Sequence, residues 1–162
     1  MSTRTSAKKI AVLDYGIGNL RSAQRGLERT GAEARLTADP ADIAAADAVV
    51  LPGVGAFGAC MRALADCGLV EQAHLAAASG RPFLGICVGM QLLYEGSEES
   101  PGVAGLGILP GTVRWLPPTV KRPQMQWNQI RTTDHPLVAG LDGAWLYFVH
   151  SLSADDRSEE HT

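Results

Sequence analysis

The sequence predicts an α/β protein: an open, mostly parallel sheet with helices on both faces and antiparallel additions in its second half. Three observations predict it. Short β-rich apolar runs alternate with helical periodicity through residues 10–95, the order that yields parallel strands joined by covering helices. A strand at residues 83–86 runs directly into a Gly-x-Cys-x-Gly turn and a helical pattern. After Glu95 the chain turns to short strands among most of its prolines and many glycines, which reads as antiparallel additions within the same domain.

The elements follow in order. Ile10–Asp14 (IAVLD) reads as a buried strand ended by the turn YGIGN. Asn19 sits at the N-cap of a helix with Leu20, Ala23 and Leu27 on one face, stopped by Gly31. Ala34–Thr37 is a weaker strand, and Asp39-Pro40 is a cap with proline at the first helical position. Ala48–Leu51 is a strong strand ended by PGVGAFG. Helical spacing then runs through Phe57, Met61 and Leu64, and again from Leu69 to Ser79. Phe83–Ile86 reads as a third buried strand, with a helix starting near Gly89. Further on, Ile108–Leu116, Gln129–Thr132 and Ala144–Ser151 read as strands. The expected organisation is a tail over residues 1–9, one domain over 10–154, and a second tail over 155–162.

Composition narrows the function classes. Charged residues are 19% of the chain with a net charge of −3, so no basic surface for nucleic acid or anionic membrane is expected. No apolar run approaches the ~20 residues that span a bilayer. Cys60, Cys67 and Cys87 are odd in number and lack metal-ligand spacing, which points to free thiols in a reducing cytoplasm and to no metal. Cys60 and Cys67, seven residues apart in helical patterns, read as small packing residues.

Cys87 is different. In Gly85-Ile86-Cys87-Val88-Gly89 a sharp strand-to-helix turn presents the thiol at the carboxyl edge of the sheet, where open α/β folds bind ligands. The two glycines leave room for the turn, the following helix N-terminus favours a thiolate, and the Val88 N–H is placed to hold an oxyanion. Taken alone, the same triplet also describes a structural cysteine between packing glycines. The Pro52-Gly53-Val54-Gly55 loop follows a neighbouring strand and offers further backbone N–H groups beside the turn. Gly16-Ile17-Gly18 lacks the third glycine of a dinucleotide fingerprint and the Lys-Ser/Thr of a P-loop.

Six ordered segments together resemble one family. GICVGMQLL (85–93) resembles the nucleophile turn of class I glutamine amidotransferases, which have a flavodoxin-like fold. DYGIGNL (14–20), PGVGAFG (52–58), SEESPGVAGLG (97–107), QMQWN (124–128) and YFVHSL (147–152) narrow the likeness to the glutaminase subunits of imidazole glycerol phosphate synthase. The resemblance implies hydrolysis of glutamine to glutamate and ammonia, with no cofactor. The ammonia would pass to a (β/α)8-barrel cyclase subunit, in a heterodimer serving histidine biosynthesis. It implies Cys87 as nucleophile, and Val54, Gly55 and Val88 as oxyanion and substrate-cradling backbone. Gln91, Glu99, His150, Ser151 and Leu152 match substrate-holding positions. Gly18, Asn19, Trp127 and Asn128 match the face toward the cyclase and the ammonia passage.

There are departures. The family pattern His-Met-Gly-Trp-Asn stands here as Gln124-Met125-Gln126-Trp127-Asn128, which puts bulk at a glycine position and bears on docking or ammonia transfer. Leu152 replaces a common tyrosine. The family's base, a histidine in a His-Pro-Glu segment after YFVHSL, has no counterpart among His74, His135, His150 and His161. The expectation is therefore an incomplete triad and little turnover. Past Ala154 the family pattern stops, and RSEEHT (157–162) reads as a frame of a sequencing-adapter sequence. Two other classes stay open: a non-catalytic scaffold on the cyclase, and a different cysteine hydrolase on a related sheet.

Overall fold

The computed structural model describes residues 7–154. The tail expected at 155–162, RSEEHT included, lies outside the described residues. Two compact units divide the chain: one runs up to Val113, the other is Arg114–Ser153.

The first unit is built on a four-stranded parallel sheet. Strand β1 (Lys9–Leu13) leads through helix α1 (Leu20–Arg29) to β2 (Glu33–Thr37), and α2 (Pro40–Ala45) returns the chain to β3 (Ala48–Gly53). Helices α3 (Phe57–Asp66) and α4 (Leu69–Ala78) then lead to β4 (Phe83–Cys87) and the single turn α5 (Val88–Gln91). Strand order is β2-β1-β3-β4, so successive connections leave β1 in opposite directions and open a crevice at the carboxyl ends of β1 and β3. Helices cover both faces. Ala11, Leu13, Val49 and Leu51 point into a core with Ile43, Phe57, Leu64, Leu69 and Ala73 from α2, α3 and α4. Val12, Ala34 and Val50 point the other way, against Ala23 and Leu27 of α1. That alternation is the two-residue period of a sheet covered on both sides.

Local chemistry explains the helix ends. Asp39 Oδ1 accepts from the Ala41 N–H at 2.8 Å, and Pro40 occupies the first helical position of α2, as the sequence predicts. Arg81 closes the other end of α2, donating from Nη1 to the carbonyls of Ile43, Ala44 and Ala46. Carbonyls at a helix end are left short of helical partners, the Ile43 one also accepting from the Ala46 N–H, and a cation there suits the helix dipole. Asn19 holds the N-cap position of α1 but makes no side-chain cap bond.

Three expectations change here. β4 is an edge strand, not a buried one, and leaves Leu84 and Ile86 exposed. The helix after Cys87 lasts only from Val88 to Gln91, too short for a substantial macrodipole. Strand β5 (Gly96–Ser97) pairs in parallel with the start of β6 (Thr112–Trp115). The expected strand from Ile108 is thus shortened, because Pro110-Gly111 interrupts it.

In the second unit the end of β6 pairs antiparallel with β9 (Leu152–Ser153). β7 (Gln124–Gln129) pairs antiparallel with β8 (Trp145–His150) in a two-stranded ladder. The strand expected at Gln129–Thr132 therefore lies earlier, over QMQWNQ. A 3-10 turn at Pro136–Val138 interrupts the connection.

Candidate active site

Cys87 closes β4 and caps α5, with φ 56° and ψ −119°. It is the one described non-glycine residue at positive φ. Such a conformation costs of order 1–3 kcal/mol and persists only where its surroundings enforce it. The enforcement is visible. A Cβ on Gly89 would run into the Leu51 carbonyl oxygen, and one on Gly85 would lie 2.5 Å from the Met90 Cα. The turn thus packs backbone on backbone, which only glycine permits. The thiol is exposed at the strand end.

The β3–β4 ladder fixes what lies beside it. Its register pairs Pro52 with Ile86 and Gly53 with Cys87, so the PGVG loop leaves β3 next to the nucleophile turn. Val54 and Gly55 lie in that loop and are exposed. Val88 is buried at the first position of α5, where an N–H has no helical acceptor. Backbone N–H groups at two adjacent strand ends therefore lie beside the nucleophile turn, an arrangement able to hold a developing oxyanion. With α5 a single turn, these local amides and not a macrodipole are the source of any field on the thiol.

Behind the loop sits a buried pair that sequence reasoning did not assign to the site. The Tyr15 hydroxyl donates to the Pro52 carbonyl at 2.6 Å, and the Cys60 thiol to the Val54 carbonyl at 3.3 Å. Burial pushes the Tyr15 phenol well up from its ordinary 10.0, with Cys60 adding to the shift. Burial also raises the Cys60 thiol, against lowering contributions from Tyr15 and the Val54 backbone. Cys60 is thus more than a packing residue. Cys67, expected to pack, is exposed at the C-cap of α3.

Glu99 also acquires a partner that the sequence did not disclose. Its Oε2 accepts from the Phe57 N–H at 2.8 Å, and Ser100 Oγ accepts from the Gly58 N–H at 3.0 Å. Together they cap α3, whose own N-cap residue, Ala56, has no side chain to do so. The PGVG loop is anchored at its far end by this cap. Gln91, four residues after Cys87, is buried, and its Oε1 has no hydrogen-bond partner among the described residues. Gly18 lies against the loop from β1, its missing Cβ 3.7 Å from the Pro52 Cβ, and Asn19 next to it is exposed. The first unit therefore gathers Cys87, Val54, Gly55, Val88, Gln91, Gly18 and Asn19 on the carboxyl ends of β1, β3 and β4 and the segments that follow them, and Glu99, from after β5, reaches the end of the β3 loop through Phe57.

The other sequence-predicted residues belong to the second unit. Trp127 and Asn128 lie on β7, and Trp127 stacks at a tilt on its cross-strand partner Tyr147, with centroids 5.5 Å apart. Trp127 is 62% exposed, so it is not a core residue. Gln126 donates to Asn128 Oδ1 at 3.1 Å along the same strand face. His150 ends β8, and its Nδ1 lies 2.8 Å from the Leu152 carbonyl, which places the proton on Nδ1. Ser151 follows, and Leu152 is buried in β9.

Comparison with known proteins agrees with this geometry. The class-I glutamine amidotransferase family model matches residues 11–162. The imidazole glycerol phosphate synthase subunit HisH of Synechococcus elongatus is 54% identical over 151 residues, spanning 90% of this chain and 69% of that protein. The HisH subunit of Methanothermobacter thermautotrophicus is 48% identical, over 93% of this chain and 75% of its own. Among solved structures, a glutamine amidotransferase shares the fold with a TM-score of 0.69 at 18% identity, covering 90% of this chain and 72% of that one. A putative GMP synthase protein from Thermoplasma acidophilum does so with a TM-score of 0.63 at 19% identity, covering 93% and 68%. The chain belongs to the class-I glutamine amidotransferases and, within them, to the family of HisH subunits of imidazole glycerol phosphate synthase.

Proposed function

We propose that this chain is the glutaminase subunit of an imidazole glycerol phosphate synthase, with Cys87 attacking the side-chain amide of glutamine. Sulfur bonds to the amide carbon, and the displaced electron pair moves onto the amide oxygen. The N–H groups of Val88 and of the Val54–Gly55 loop receive that oxyanion. Collapse expels ammonia, which carries away the proton that the thiol gave up, and leaves a thioester. Water then releases glutamate and restores the thiol. In the first unit Gln91, whose buried amide oxygen has no partner among the described residues, and Glu99 are assigned to the substrate; in the second unit the resemblance assigns His150, Ser151 and Leu152 to it. The observation that carries the reading is the pairing of Gly53 with Cys87, which sets the donor loop beside the nucleophile.

The ammonia is passed to a cyclase subunit for imidazole formation in histidine biosynthesis, and partner contacts are assigned to Gly18 and Asn19 in the first unit and to Trp127 and Asn128 in the second. The HisH subunits among its relatives support this, since their name is that of one subunit of a synthase. The free thiols support a cytoplasmic setting. No helix among the described residues is long and apolar enough to cross a membrane.

A chloromethyl ketone analogue of glutamine tests the chemistry without requiring turnover. Sulfur displaces chloride and the thiol proton is released, so each labelled chain gains the analogue's mass less that of HCl. Labelling should map to Cys87, vanish in Cys87→Ala, and be slowed by glutamine but not by asparagine. Labelling that glutamine leaves unchanged removes the glutaminase reading.

A further inference from the structure

We propose that Tyr15 and Cys60 are positioning residues, which hold the oxyanion-binding peptides of the PGVG loop in their working orientation from the buried side. The inference rests on the glutaminase reading and deepens it.

The β1–β3 ladder ends at Val12 and Val50, yet β3 runs on through Leu51, Pro52 and Gly53 to reach the level of Cys87. Among the described residues no strand on the β1 side pairs with β3 beyond Val50. Tyr15, two residues past the end of β1, supplies the missing donor, its hydroxyl 2.6 Å from the Pro52 carbonyl. Cys60, in the first turn of α3, does the same for the Val54 carbonyl.

A trans peptide is planar, with its C=O and N–H pointing in opposite directions. Tying down the Val54 carbonyl therefore aims the Gly55 N–H away from Cys60. Tying down the Pro52 carbonyl likewise fixes the Gly53 N–H. The ladder holds the near end of the loop at Gly53 and the Glu99–Ser100 cap holds its far end at Phe57 and Gly58, but between them Val54, Gly55 and Ala56 are all exposed and Gly55 sits at φ 93°. A glycine-flanked peptide in solvent can flip and carry its N–H out of the site.

The two donors are built for the task. Tyr15 is 2% exposed and Cys60 is fully buried, both within the main core cluster. Burial raises both groups above their ordinary values, so each keeps its proton at neutral pH and remains a donor. Neither side chain faces solvent or carries the reacting sulfur. Their effect on chemistry is through the loop alone.

The test uses two glutamine analogues on the full chain. One has an aldehyde in place of the carboxamide; the Cys87 S–H adds across its C=O, sulfur bonding to carbon and the proton going to oxygen, so an oxygen occupies the oxyanion site. The other has a primary alcohol there and forms no adduct. Binding of each is read as protection of Cys87 from iodoacetamide, followed by peptide mapping, with cooperative thermal unfolding checked for every variant. Tyr15→Phe and Cys60→Ala should each weaken the aldehyde about 10-fold, while alcohol binding and the alkylation rate of free Cys87 stay at the wild-type values. Cys60→Ser, which restores a donor, should recover most of the loss.

Unchanged aldehyde affinity in both variants overturns the proposal. So does an equal loss for the alcohol, which would mean general damage to the pocket, and so does Cys60→Ser behaving like Cys60→Ala. Failure of the aldehyde to protect the wild-type chain is a different result: it removes the glutaminase reading itself, and the positioning role with it.

Discussion

Replacing Glu99 should destabilise the first unit through helix α3, not merely weaken a substrate contact. The Glu99 carboxylate accepts the Phe57 N–H at 2.8 Å, at a helix end whose own N-cap is Ala56. Removing an N-cap acceptor costs about 1 kcal/mol. Losing a negative charge beside the first turn costs roughly 0.5 kcal/mol more. Ser100 still caps Gly58, so the helix survives. Glu99→Ala should therefore cost about 1.5 kcal/mol, which for a chain of this size lowers Tm by roughly 3–6 °C. Glu99→Gln keeps an acceptor oxygen and loses only the charge, so its shift should be about a third as large, roughly 1–2 °C. Calorimetry at low and high salt separates the two contributions, because only the charge component is screened. If Glu99→Ala melts within about 1 °C of wild type, the carboxylate does not hold α3, and Glu99 would remain only as a substrate contact.

Other expectations follow from single contacts. Gly89→Ala should abolish Cys87 labelling and destabilise the fold by more than about 2 kcal/mol, because its Cβ meets the Leu51 carbonyl and backbone cannot yield cheaply; a stable, labelled variant would refute the close packing. Arg81→Met should cost about 1.5–3 kcal/mol in denaturant unfolding, since it strips a charged donor from three carbonyls at the end of α2. The Lys9 backbone N–H, donating to its carboxylate at 2.8 Å, and the neighbouring Lys8 hold Asp47 below its ordinary 3.8. Its contribution is thus present above that value and lost as pH falls through the lowered one, so acid titration of unfolding should bring Asp47→Asn and wild type together at low pH. Tyr15 runs the other way. Its raised phenol contributes fully below its ordinary 10.0 and loses that contribution as pH rises beyond it, so Tyr15→Phe should flatten the alkaline fall in stability.

Much of the frame was legible because its signals are local. β1, β3 and β4 are short apolar runs, the helices carry a helical spacing, and Asp39-Pro40 announces its own cap. Even the nearness of the two glycine loops followed, since consecutive strands of an α/β sheet tend to be neighbours. What was not legible is what depends on distant partners. Nothing in SEES marks Glu99 as the cap of a helix 42 residues earlier. Nothing in DYGIG marks Tyr15 as a donor to a carbonyl 37 residues later. The exposure of Leu84 and Ile86 depends on strand order, which an apolar run does not state. The strand at QMQWNQ did carry a signal: Met125 and Trp127 alternate with Gln124, Gln126 and Asn128, the two-residue period of a half-covered strand. Its polar composition hid the alternation.

The site's precision rests on one ladder. Nucleophile and donor loop come from adjacent strands, paired residue for residue from Val49 and Phe83 to Gly53 and Cys87. A slip of one residue would turn every side chain of β4 to the opposite face and move Cys87 past the loop. Among the described strands β4 has a partner on one side only, so within them the far edge gives no help in resisting that slip. The resistance comes from α5 and the turn. Gly89 fits against the Leu51 carbonyl in one register alone, and Gly85 fits against Met90. A side chain at either position would push the turn outward, whereas glycine lets the strand lock. The strained φ of Cys87 follows from this lock: the turn's packing holds the cysteine in a conformation it would otherwise avoid. Strain at the nucleophile and register of the sheet are therefore one constraint, and the carbonyl bonds from Tyr15 and Cys60 extend it to the loop that faces the sulfur.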